Sequence, residues 1–477
     1  MPVRFLPVAL LLVSSTAIAS ARTIKISAKH AVLSGPDLRL VQREKEKPRQ
    51  YLAGFSHDAD TAVFHLRAGK SGIFGLFCMC RIAVRKDVEI TVNSDEISTI
   101  IYPASDGGFS MQYFGIAELI RGDNTVTVHK GWGGFELASL ELRPENAAQP
   151  PAPVSSEPSD AAATNETRSL LDTLQAGYGK TTLTGVYSDE DAEYMRAVTG
   201  RLPVVMGGDL MRYSPGFLLH SSDTRHEVER LIAAHRRGQI VTLSWHWASP
   251  LGALNTSQEP WFRSFYTDAT TFDVRVALEN VQSPEHKALL SDIHQIAIQL
   301  RRLQDAGVPV LWRPLHEAED EDFWWGAKGP ETFQALWKLL YQQLTEMEGI
   351  HNLLWVFTSG GDLAWYPGDA YVDIIGIDGY PKNIHDAQSA LWTTLQRQFT
   401  GHRMLTISEF GGMPDLPRMQ QLGEWWSYAV PWSVQLGPRK NDPTELKRIV
   451  LSSSVETLAP QTQIAPEATT SAGSSQP

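Results

Sequence analysis

The chain of 477 residues has little cysteine, no runs of basic residues and no internal apolar stretch long enough to span a bilayer. Its two cysteines, Cys78 and Cys80, lie two apart in a strand-like stretch, where side chains share a face but are poorly placed for a disulfide. We therefore expect two small buried side chains and a fold stabilised by core packing. The net charge of −12 argues against nucleic acid or an anionic membrane surface as a partner.

One apolar run stands at the start of the chain. Arg4 precedes the run from Phe5 to Val13, and alanines follow at positions 17, 19 and 21. This pattern is typical of a cleaved secretory signal over residues 1–21, and it predicts a secreted, extracellular protein. An uncleaved anchor is the alternative, but the run is short and contains Pro7.

The rest of the chain changes composition twice. Residues 22–145 hold short strand-like segments punctuated by Gly, Asp and Asn, which predicts an all-β sandwich. Residues 146–165 are rich in Pro, Ala and Ser and predict a stiff linker. Residues 459–477 have the same character and predict a disordered tail.

Residues 166–458 alternate between strand-like and helical segments. The predicted strands, most of them apolar on both faces, are Leu183–Ser188, Leu202–Asp209, Ile240–Trp247, Val308–Glu317, Leu353–Ser359, Val372–Tyr380, Met404–Phe410 and Trp432–Leu436. The main predicted helices are Asp223–Arg237, His286–Asp305, Glu331–Glu348, Ala387–Phe399 and Leu416–Tyr428. Eight such units indicate an α/β fold of the (β/α)8 or TIM-barrel type. An open doubly wound sheet is the alternative, but no glycine-rich phosphate loop follows any strand.

Polar side chains cluster at the carboxyl ends of the predicted strands, where barrels of this type carry their catalytic groups. They are Asp209, His246, Arg313, His316, Glu317, Asp378, Tyr380 and Glu409. Glu317 ends the fourth strand and Glu409 the seventh, so we expect them to face each other across the barrel mouth. A retaining glycosidase needs two carboxyl groups about 5–5.5 Å apart. Like charges that close push the two pKa values apart, so one group can be an acid while the other attacks.

Thirteen of the 14 tryptophans lie after residue 165. Trp247, Trp325 and Trp432 lie at or just after predicted strand ends, where pyranose rings could stack on them. The acidic run Glu319–Asp322 predicts a solvated loop face, with binding of a hard cation as the alternative. No second ligand lies at metal-binding spacing from His246 or His316, so we expect no metal and no cofactor.

Four motifs of residues 166–458 resemble glycoside hydrolase family 26. They are Trp-Arg-Pro-Leu-His-Glu at 312–317, Phe-Trp-Trp-Gly at 323–326, Asp-Gly-Tyr-Pro at 378–381 and Ser-Glu-Phe-Gly at 408–411. Members of that family are mostly secreted endo-β-1,4-mannanases with a (β/α)8 barrel and a retaining mechanism.

The resemblance implies a role for each residue of the motifs. Glu317 would be the general acid/base and Glu409 the nucleophile, with Tyr380 bonded to the nucleophile. The residues implied or expected to contact substrate are His246, Trp247, Arg313, His316, Trp325, Asp378, Tyr380 and Trp432. One departure is Asp322, which stands where the family usually has an aromatic residue, so we expect one weaker stacking contact.

The first domain resembles a family 35 carbohydrate-binding module, on the evidence of Ile26–Gly35, Tyr51–Phe55 and Gly131–Gly134. Within the last motif, Trp132 is the candidate glycan contact. Modules of that family usually hold a structural calcium through acidic residues, and Lys29 and Ala138 stand at the matching positions. The resemblance therefore does not extend to calcium.

Taken together, these features predict a secreted endo-β-1,4-mannanase, monomeric by default, whose partner is a β-mannan polysaccharide. Two alternatives stay open. The same fold could act on mixed-linkage β-glucan or β-1,3-xylan, or the barrel could be a non-catalytic glycan-binding protein.

Overall fold

A computed structural model of the chain describes residues 22–459, apart from residues 102, 105, 132, 146–148 and 155. Three predictions fall outside these residues: the signal over residues 1–21, the tail beyond Ala459 and the glycan contact at Trp132. Within the described part of the chain, no helix is both long enough and apolar enough to cross a membrane.

The N-terminal domain is a sandwich of two antiparallel sheets. Its strands are β1 (Ile24–Ser27), β2 (Val32–Ser34), β3 (Arg39–Gln42), β4 (Gln50–Ala53), β5 (Thr61–Ala68), β6 (Gly72–Ile82), β7 (Lys86–Val92), β8 (Asp95–Ile101), β9 (Ser110–Leu119), β10 (Gly122–His129) and β11 (Phe135–Pro144). One sheet has the order β3-β4-β11-β6-β9, with β1 also paired to β11, and the other has the order β2-β5-β10-β7-β8.

The inner faces of both sheets share one apolar core. Strand β5 alternates in the expected way, with Ala62, Phe64 and Leu66 buried and the residues between them more exposed. Cys78 and Cys80 lie on the inner face of β6 as buried free thiols, which confirms the prediction from their spacing. Burial raises the pKa of the Cys80 thiol to about 12, so it is an unreactive core residue.

The second domain is a closed barrel of eight parallel strands. They are β12 (Thr182–Val186), β13 (Val205–Asp209), β14 (Ile240–Trp245), β15 (Val310–Pro314), β16 (Leu353–Thr358), β17 (Ile374–Gly379), β18 (Met404–Phe410) and β19 (Tyr428–Pro431). They pair in chain order from β13 to β19, and β12 pairs with both β19 and β13, which closes the ring. A short strand β20 (Val455–Glu456) adds to β12. The TIM-barrel prediction is confirmed.

Helices surround the barrel and follow most of its strands. They are α1 (Asn165–Gly177), α2 (Asp189–Thr199), α3 (Pro215–Leu218), α4 (Glu227–Arg236), α5 (Val274–Glu279), α6 (Pro284–Asp305), α7 (Pro330–Gln342), α8 (Ser389–Phe399), α9 (Leu416–Gln421) and α10 (Pro443–Val450). Successive strand residues enter different apolar clusters: Leu311 packs with Leu354, whereas Trp312 joins the cluster shared with the helices. Both faces of the strands are therefore buried, as in other parallel sheets.

The eighth strand differs from its prediction. The sequence predicts a helix over Leu416–Tyr428 and a strand over Trp432–Leu436. The structure ends the helix at Gln421 and places the strand at Tyr428–Pro431. The strand has four residues, all of them buried. Such a short apolar run cannot be told from a helix segment by periodicity alone.

The described second half of the proline-rich segment lies against the barrel. Val154 is buried there, and the backbone N–H of Ser159 donates to the carboxylate of Asp373 at 2.5 Å. Thr164 then caps α1 by accepting the backbone N–H of Thr167. This part of the segment is thus fixed by contacts as well as by its prolines.

The sandwich packs on the barrel through β8 and β9, which contact α8. The backbone N–H of Ser98 donates to Asp386 (2.7 Å), and that of Ile116 donates to Ser389 Oγ (2.8 Å). Gly115 has φ +110°, and a Cβ there would lie 2.7 Å from Ser389 Oγ. Only glycine fits this approach of the two domains.

Candidate active site

Neighbouring strand ends bring four ionisable side chains together at the barrel mouth. Arg313 lies in β15, Asp378 in β17 and Glu409 in β18, while Glu317 follows β15 by three residues. Asp378 and Glu409 are register partners in the parallel pairing. Because parallel strands end at one edge, residues 92 positions apart meet there.

Glu317 stands on an unusual piece of backbone. Its φ is +53° and that of Leu315 is +51°, both in the left-handed region that non-glycine residues seldom occupy. Such conformations cost on the order of 1 kcal/mol each, and they cluster at functional sites. The chain then turns through a short 3-10 helix, Ala318–Asp320, under which Gly326 packs. A Cβ on Gly326 would lie 2.2 Å from the carbonyl oxygen of Ala318, which explains the glycine after the paired tryptophans.

The carboxylates of Glu317, Asp378 and Glu409 are close neighbours, with oxygens that lie within 4.8 Å of one another. The fully buried guanidinium of Arg313 donates to Asp378 (2.7 Å) and to Glu409. The hydroxyl of Tyr380 donates to Glu409 Oε2 at 2.6 Å. Glu409 thus accepts from two donors, one of them a cation.

The side chains of Glu317 and Asp378 are hydrogen-bonded to each other, which requires one proton between the two carboxyl groups. Burial and the nearby charge of Glu409 raise the pKa of Glu317 to about 7, while Arg313 opposes the shift. Burial raises the pKa of Asp378 well above its usual value as well, even though Arg313 donates to that carboxylate. The site therefore holds a proton on the pair of Glu317 and Asp378, beside the carboxylate of Glu409 that Arg313 and Tyr380 fix.

A pair of histidines forms the next part of the mouth. Asp209 Oδ2 accepts from His246 Nδ1 at 2.5 Å, and the two Nε2 atoms of His246 and His316 are 3.1 Å apart. Burial disfavours charge on both rings, but Asp209 outweighs it and raises the pKa of His246. Burial, with the charges of Arg313 and His246, lowers the pKa of His316 well below its usual value. These opposite shifts favour the proton between the two Nε2 atoms on His246 over His316.

Two rings that the sequence predicts to stack on substrate, Trp247 and Trp325, do not lie at the surface of the cleft. Trp247 is fully buried, stacks on Trp245 and donates to Asp292 at 2.8 Å. Trp325 is also fully buried and donates to the carbonyl of His316 at 2.8 Å. The prediction that these rings contact substrate is wrong, because neither has any accessible surface. Trp325 instead supports the backbone of His316.

Arg313 needs the same correction, since it is as deeply buried as the two rings and its guanidinium is occupied by Asp378 and Glu409. Its role is to position and neutralise those carboxylates. By contrast, Tyr380 is 44% exposed, and Trp432 is partly buried with its ring 5.9 Å from that of His246. Both lie where a bound sugar could reach them.

The acidic run after Glu317 is also not the solvated face that the sequence predicts. Glu319 is largely buried, and its Oε1 accepts the backbone N–H of Gly360 at 2.7 Å. Burial raises the pKa of Glu319 to about 7. Asp320, Glu321 and Asp322 are exposed as predicted.

Sequence reasoning missed an aromatic segment that follows β14. Residues 261–266 read Trp-Phe-Arg-Ser-Phe-Tyr, four rings in six positions. Phe265 lies 5.2 Å from the ring of His246, and Phe262 is 52% exposed on the rim. The density of rings in the loop that follows a barrel strand is the signal that could have identified it.

Two groups of three side chains bring possible metal-ligating atoms within 4.8 Å in the described residues: Glu317, Asp378, Glu409 and His385, Asp415, Glu445. Arg313 provides the positive charge in the first group, and Arg448 donates to Asp415 at 2.6 Å in the second. In both groups an arginine already balances the carboxylates.

Replacing Arg313 by Met should cost about 3–5 kcal/mol of unfolding free energy at pH 7, because it leaves two buried carboxylates without their cation. Equilibrium unfolding in urea measures the change. The matched control is Arg196→Met, which removes an exposed pair with Glu193 and should cost less than about 1 kcal/mol. Equal losses for the two variants would contradict the role given to Arg313.

Comparison with known proteins gives one consistent result. Residues 159–456 match the model of glycosyl hydrolase family 26. A mannan endo-1,4-beta-mannosidase of Thermothelomyces thermophilus is 35% identical over 436 residues, which cover 90% of this chain and 89% of that protein. Mannan endo-1,4-beta-mannosidase A of a Piromyces species is 26% identical over 405 residues, 81% of this chain and 64% of that protein.

Solved structures agree with the two-domain architecture. A crystal structure of a Podospora anserina GH26-CBM35 beta-(1,4)-mannanase matches with a TM-score of 0.65 and 32% identity, over 91% of this chain and 97% of that one. A beta-mannanase from a symbiotic protist of the termite Reticulitermes speratus, complexed with gluco-manno-oligosaccharide, matches with a TM-score of 0.57 and 30% identity. That match covers 64% of this chain and 97% of the other.

Proposed function

Since the chain belongs to glycosyl hydrolase family 26, we propose that it is a secreted endo-β-1,4-mannanase that retains the anomeric configuration. It is a glycoside hydrolase. The observation that carries the proposal is the placement of Glu317, whose pKa burial raises to about 7, within 4.8 Å between oxygens of Glu409, which Arg313 and Tyr380 hold.

In the first step Glu409 attacks the anomeric carbon of the bound mannoside. The bond from that carbon to the glycosidic oxygen breaks, and the departing oxygen takes the proton of Glu317. The product is a mannosyl ester of Glu409 and a shortened chain that leaves. Arg313 and Tyr380 hold the attacking carboxylate by donating to it, which orients its free lone pairs towards the sugar.

In the second step Glu317 acts as a base. It removes a proton from a water molecule, whose oxygen attacks the anomeric carbon and displaces Glu409. The proton taken from the water restores the acid form of Glu317, and Glu409 leaves as a free carboxylate. Two inversions give net retention. The ring of His246, held by Asp209, lies near Glu409 and lines the same pocket.

The short carboxylate separation supports retention. Inverting enzymes keep the two groups about 6.5–9.5 Å apart to admit a water between them, and retaining enzymes about 5–5.5 Å. Proton NMR of manno-oligosaccharide hydrolysis tests this directly, because the β-anomer should form first. Initial release of the α-anomer would exclude the mechanism.

The names of the relatives support mannan as the substrate. Release of reducing ends from galactomannan, glucomannan, lichenan and β-1,3-xylan, compared side by side, tests the choice. We expect mannans to be cleaved, with a fast drop in viscosity that marks internal attack. Cleavage confined to lichenan or to β-1,3-xylan would move the proposal to one of those polymers. Binding of every polymer without turnover would indicate a non-catalytic barrel.

The pH dependence of kcat/KM should show an alkaline limb near pH 7. Only the protonated form of Glu317 can donate to the leaving oxygen, and its raised pKa of about 7 sets where that form is lost as pH rises. Measurement between pH 4 and pH 9 on mannopentaose locates the limb. An aryl mannoside whose leaving group needs no proton is the control and should not show this limb. A limb near pH 5 on mannopentaose would contradict the assignment.

Secretion is the part of the proposal that depends on residues 1–21. Expression of the full chain in a secreting host, followed by mass spectrometry of the protein in the medium, tests it. We expect a mature N-terminus at Arg22, directly after the small residues of the signal. A protein retained in the cell with Met1 intact would contradict the prediction.

A further inference from the structure

An ion pair joins the sandwich to the turn that carries the acid/base. Arg85 lies in the connection between β6 and β7, and its Nη1 is 2.7 Å from Asp320 Oδ1. Asp320 is three residues after Glu317 and 235 positions from Arg85. The pair thus connects the N-terminal domain to the turn that begins at the catalytic carboxyl group of Glu317.

The same turn is fixed to the barrel on both sides of Asp320. Before it, Glu319 accepts from the backbone of Gly360 at 2.7 Å. After it, the carbonyl of Glu321 accepts from Thr267 Oγ1 at 2.8 Å. Glu321 also has a positive φ of +60°, so both ends of the turn use the left-handed region. Asp320 makes the ion pair of this turn with the sandwich, and Arg85 also lies close enough to Glu319 to lower the pKa of that carboxyl group.

We propose that Arg85 is a positioning residue for Glu317, which acts by holding Asp320 and by balancing its negative charge. The inference rests on the function proposed above, because it assigns to the sandwich a part in setting the acid/base. In this arrangement the N-terminal domain completes the active site, in addition to whatever glycan it binds.

The charge of Asp320 acts on Glu317 directly. Burial and Glu409 have the largest effects on the pKa of Glu317, and Asp320 adds to them in the same direction. Loss of Arg85 would leave that negative charge unbalanced and raise the pKa further. Loss of the Asp320 charge would lower it. If the contact were purely structural, loss of Arg85 and loss of the Asp320 charge would not shift the pKa of Glu317 in opposite directions.

Other charged and titratable groups surround the two ends of this pair. Around Glu317, β15 and its end contribute Arg313 and His316, and β14 and the loop after it contribute His246 and Tyr266. On the other side, β17 and its end contribute Asp378 and Tyr380, and β18 contributes Glu409. Those around Arg85 are Asp87, Glu89, Lys382 and Glu319. None of them is altered in the variants below.

The experiment compares Arg85→Ala, Asp320→Asn and the double variant with the wild-type chain. For each, kcat/KM on mannopentaose is measured from pH 4 to pH 9. Arg85→Ala should move the alkaline limb up by a few tenths of a pH unit and lower kcat several-fold, as expected for a partly exposed pair close to the acid. Asp320→Asn should move the limb down. The double variant should return it to the wild-type position, and Arg85→Lys should restore most of the single loss.

Asp95→Asn is the matched control. It removes the pair between Asp95 and Arg418 (3.0 Å), which crosses the same domain boundary but meets α9 and not the catalytic turn. Its profile should match the wild type. Shifts of equal sign in Arg85→Ala and Asp320→Asn, or no shift in either, would overturn the inference while the wild type stays active. A wild type with no turnover of any mannan would overturn the proposed function instead.

Discussion

Glu409→Ala is expected to lower kcat on mannan by on the order of 10⁴-fold or more, since it removes the group that forms the covalent intermediate. Its neighbours remain in place: Arg313 keeps Asp378 as a partner, so the remaining pair of charges is balanced. The variant should therefore fold and bind mannopentaose with an affinity close to that of the wild type. Isothermal titration calorimetry and a thermal melt measure both.

Chemical rescue of this variant by azide makes the test more specific. Azide can enter the space left by the carboxylate and attack the anomeric carbon from the face that Glu409 used, while Glu317 still protonates the leaving oxygen. One inversion gives an α-mannosyl azide, which NMR identifies. The matched control is Glu424→Gln, which alters a fully buried carboxyl group elsewhere in the barrel whose pKa burial raises well above its usual value. Glu424→Gln should keep wild-type activity, and near-normal turnover by Glu409→Ala would remove Glu409 from the mechanism.

The fold could be predicted because its strands follow simple periodicities. Alternation in β5 identifies a sandwich strand, and the continuous apolar run in β16 identifies a barrel strand. Strand β19 could not be predicted in this way, because four consecutive buried residues are too few to show a hydrophobic periodicity. Its assignment needs the closed ring, which only the pairing of β19 with β12 provides.

The errors at the site have one physical cause. Sequence position shows that a ring lies at a strand end, but not which way it faces. His246 and Trp247 are consecutive, so in extended backbone their side chains point to opposite sides. His246 faces the mouth, and Trp247 therefore packs outwards, against Trp245 and Trp324. The same reasoning separates Arg313, inside the barrel, from Trp312, which packs towards the helices.

Contacts between the domains could not be predicted from the chain alone. The pair of Arg85 and Asp320 joins two exposed-looking charges across 235 positions, and no local pattern marks either residue. The buried state of Glu319 was missed for a related reason. Its hydrogen-bond partner, Gly360, lies in the loop after the next strand, β16. The acidic run that the sequence predicts to be solvated is therefore anchored to the barrel at Glu319.

Glu317→Ala is expected to lower kcat on mannan by about 10²–10⁴-fold, the usual contribution of general acid–base catalysis. The loss should depend on the leaving group. A dinitrophenyl mannobioside leaves without a proton, so the first step should stay near the wild-type rate while the second, which needs the base, becomes slow. Stopped-flow measurements should then show a burst of dinitrophenol, one equivalent per enzyme, followed by slow turnover.

Azide separates this variant from the loss of the nucleophile. Here it attacks the mannosyl ester of Glu409 from the side that water would use, needs no base to do so, and gives a β-mannosyl azide after two inversions. Glu321→Gln, an exposed carboxylate four residues along the same turn, is the control and should keep wild-type kinetics on both substrates. Equal losses on mannan and on the dinitrophenyl substrate, without a burst, would show that Glu317 does not protonate the leaving group. Because the two variants predict azides of opposite configuration, a single NMR measurement on each assigns both carboxyl groups at once.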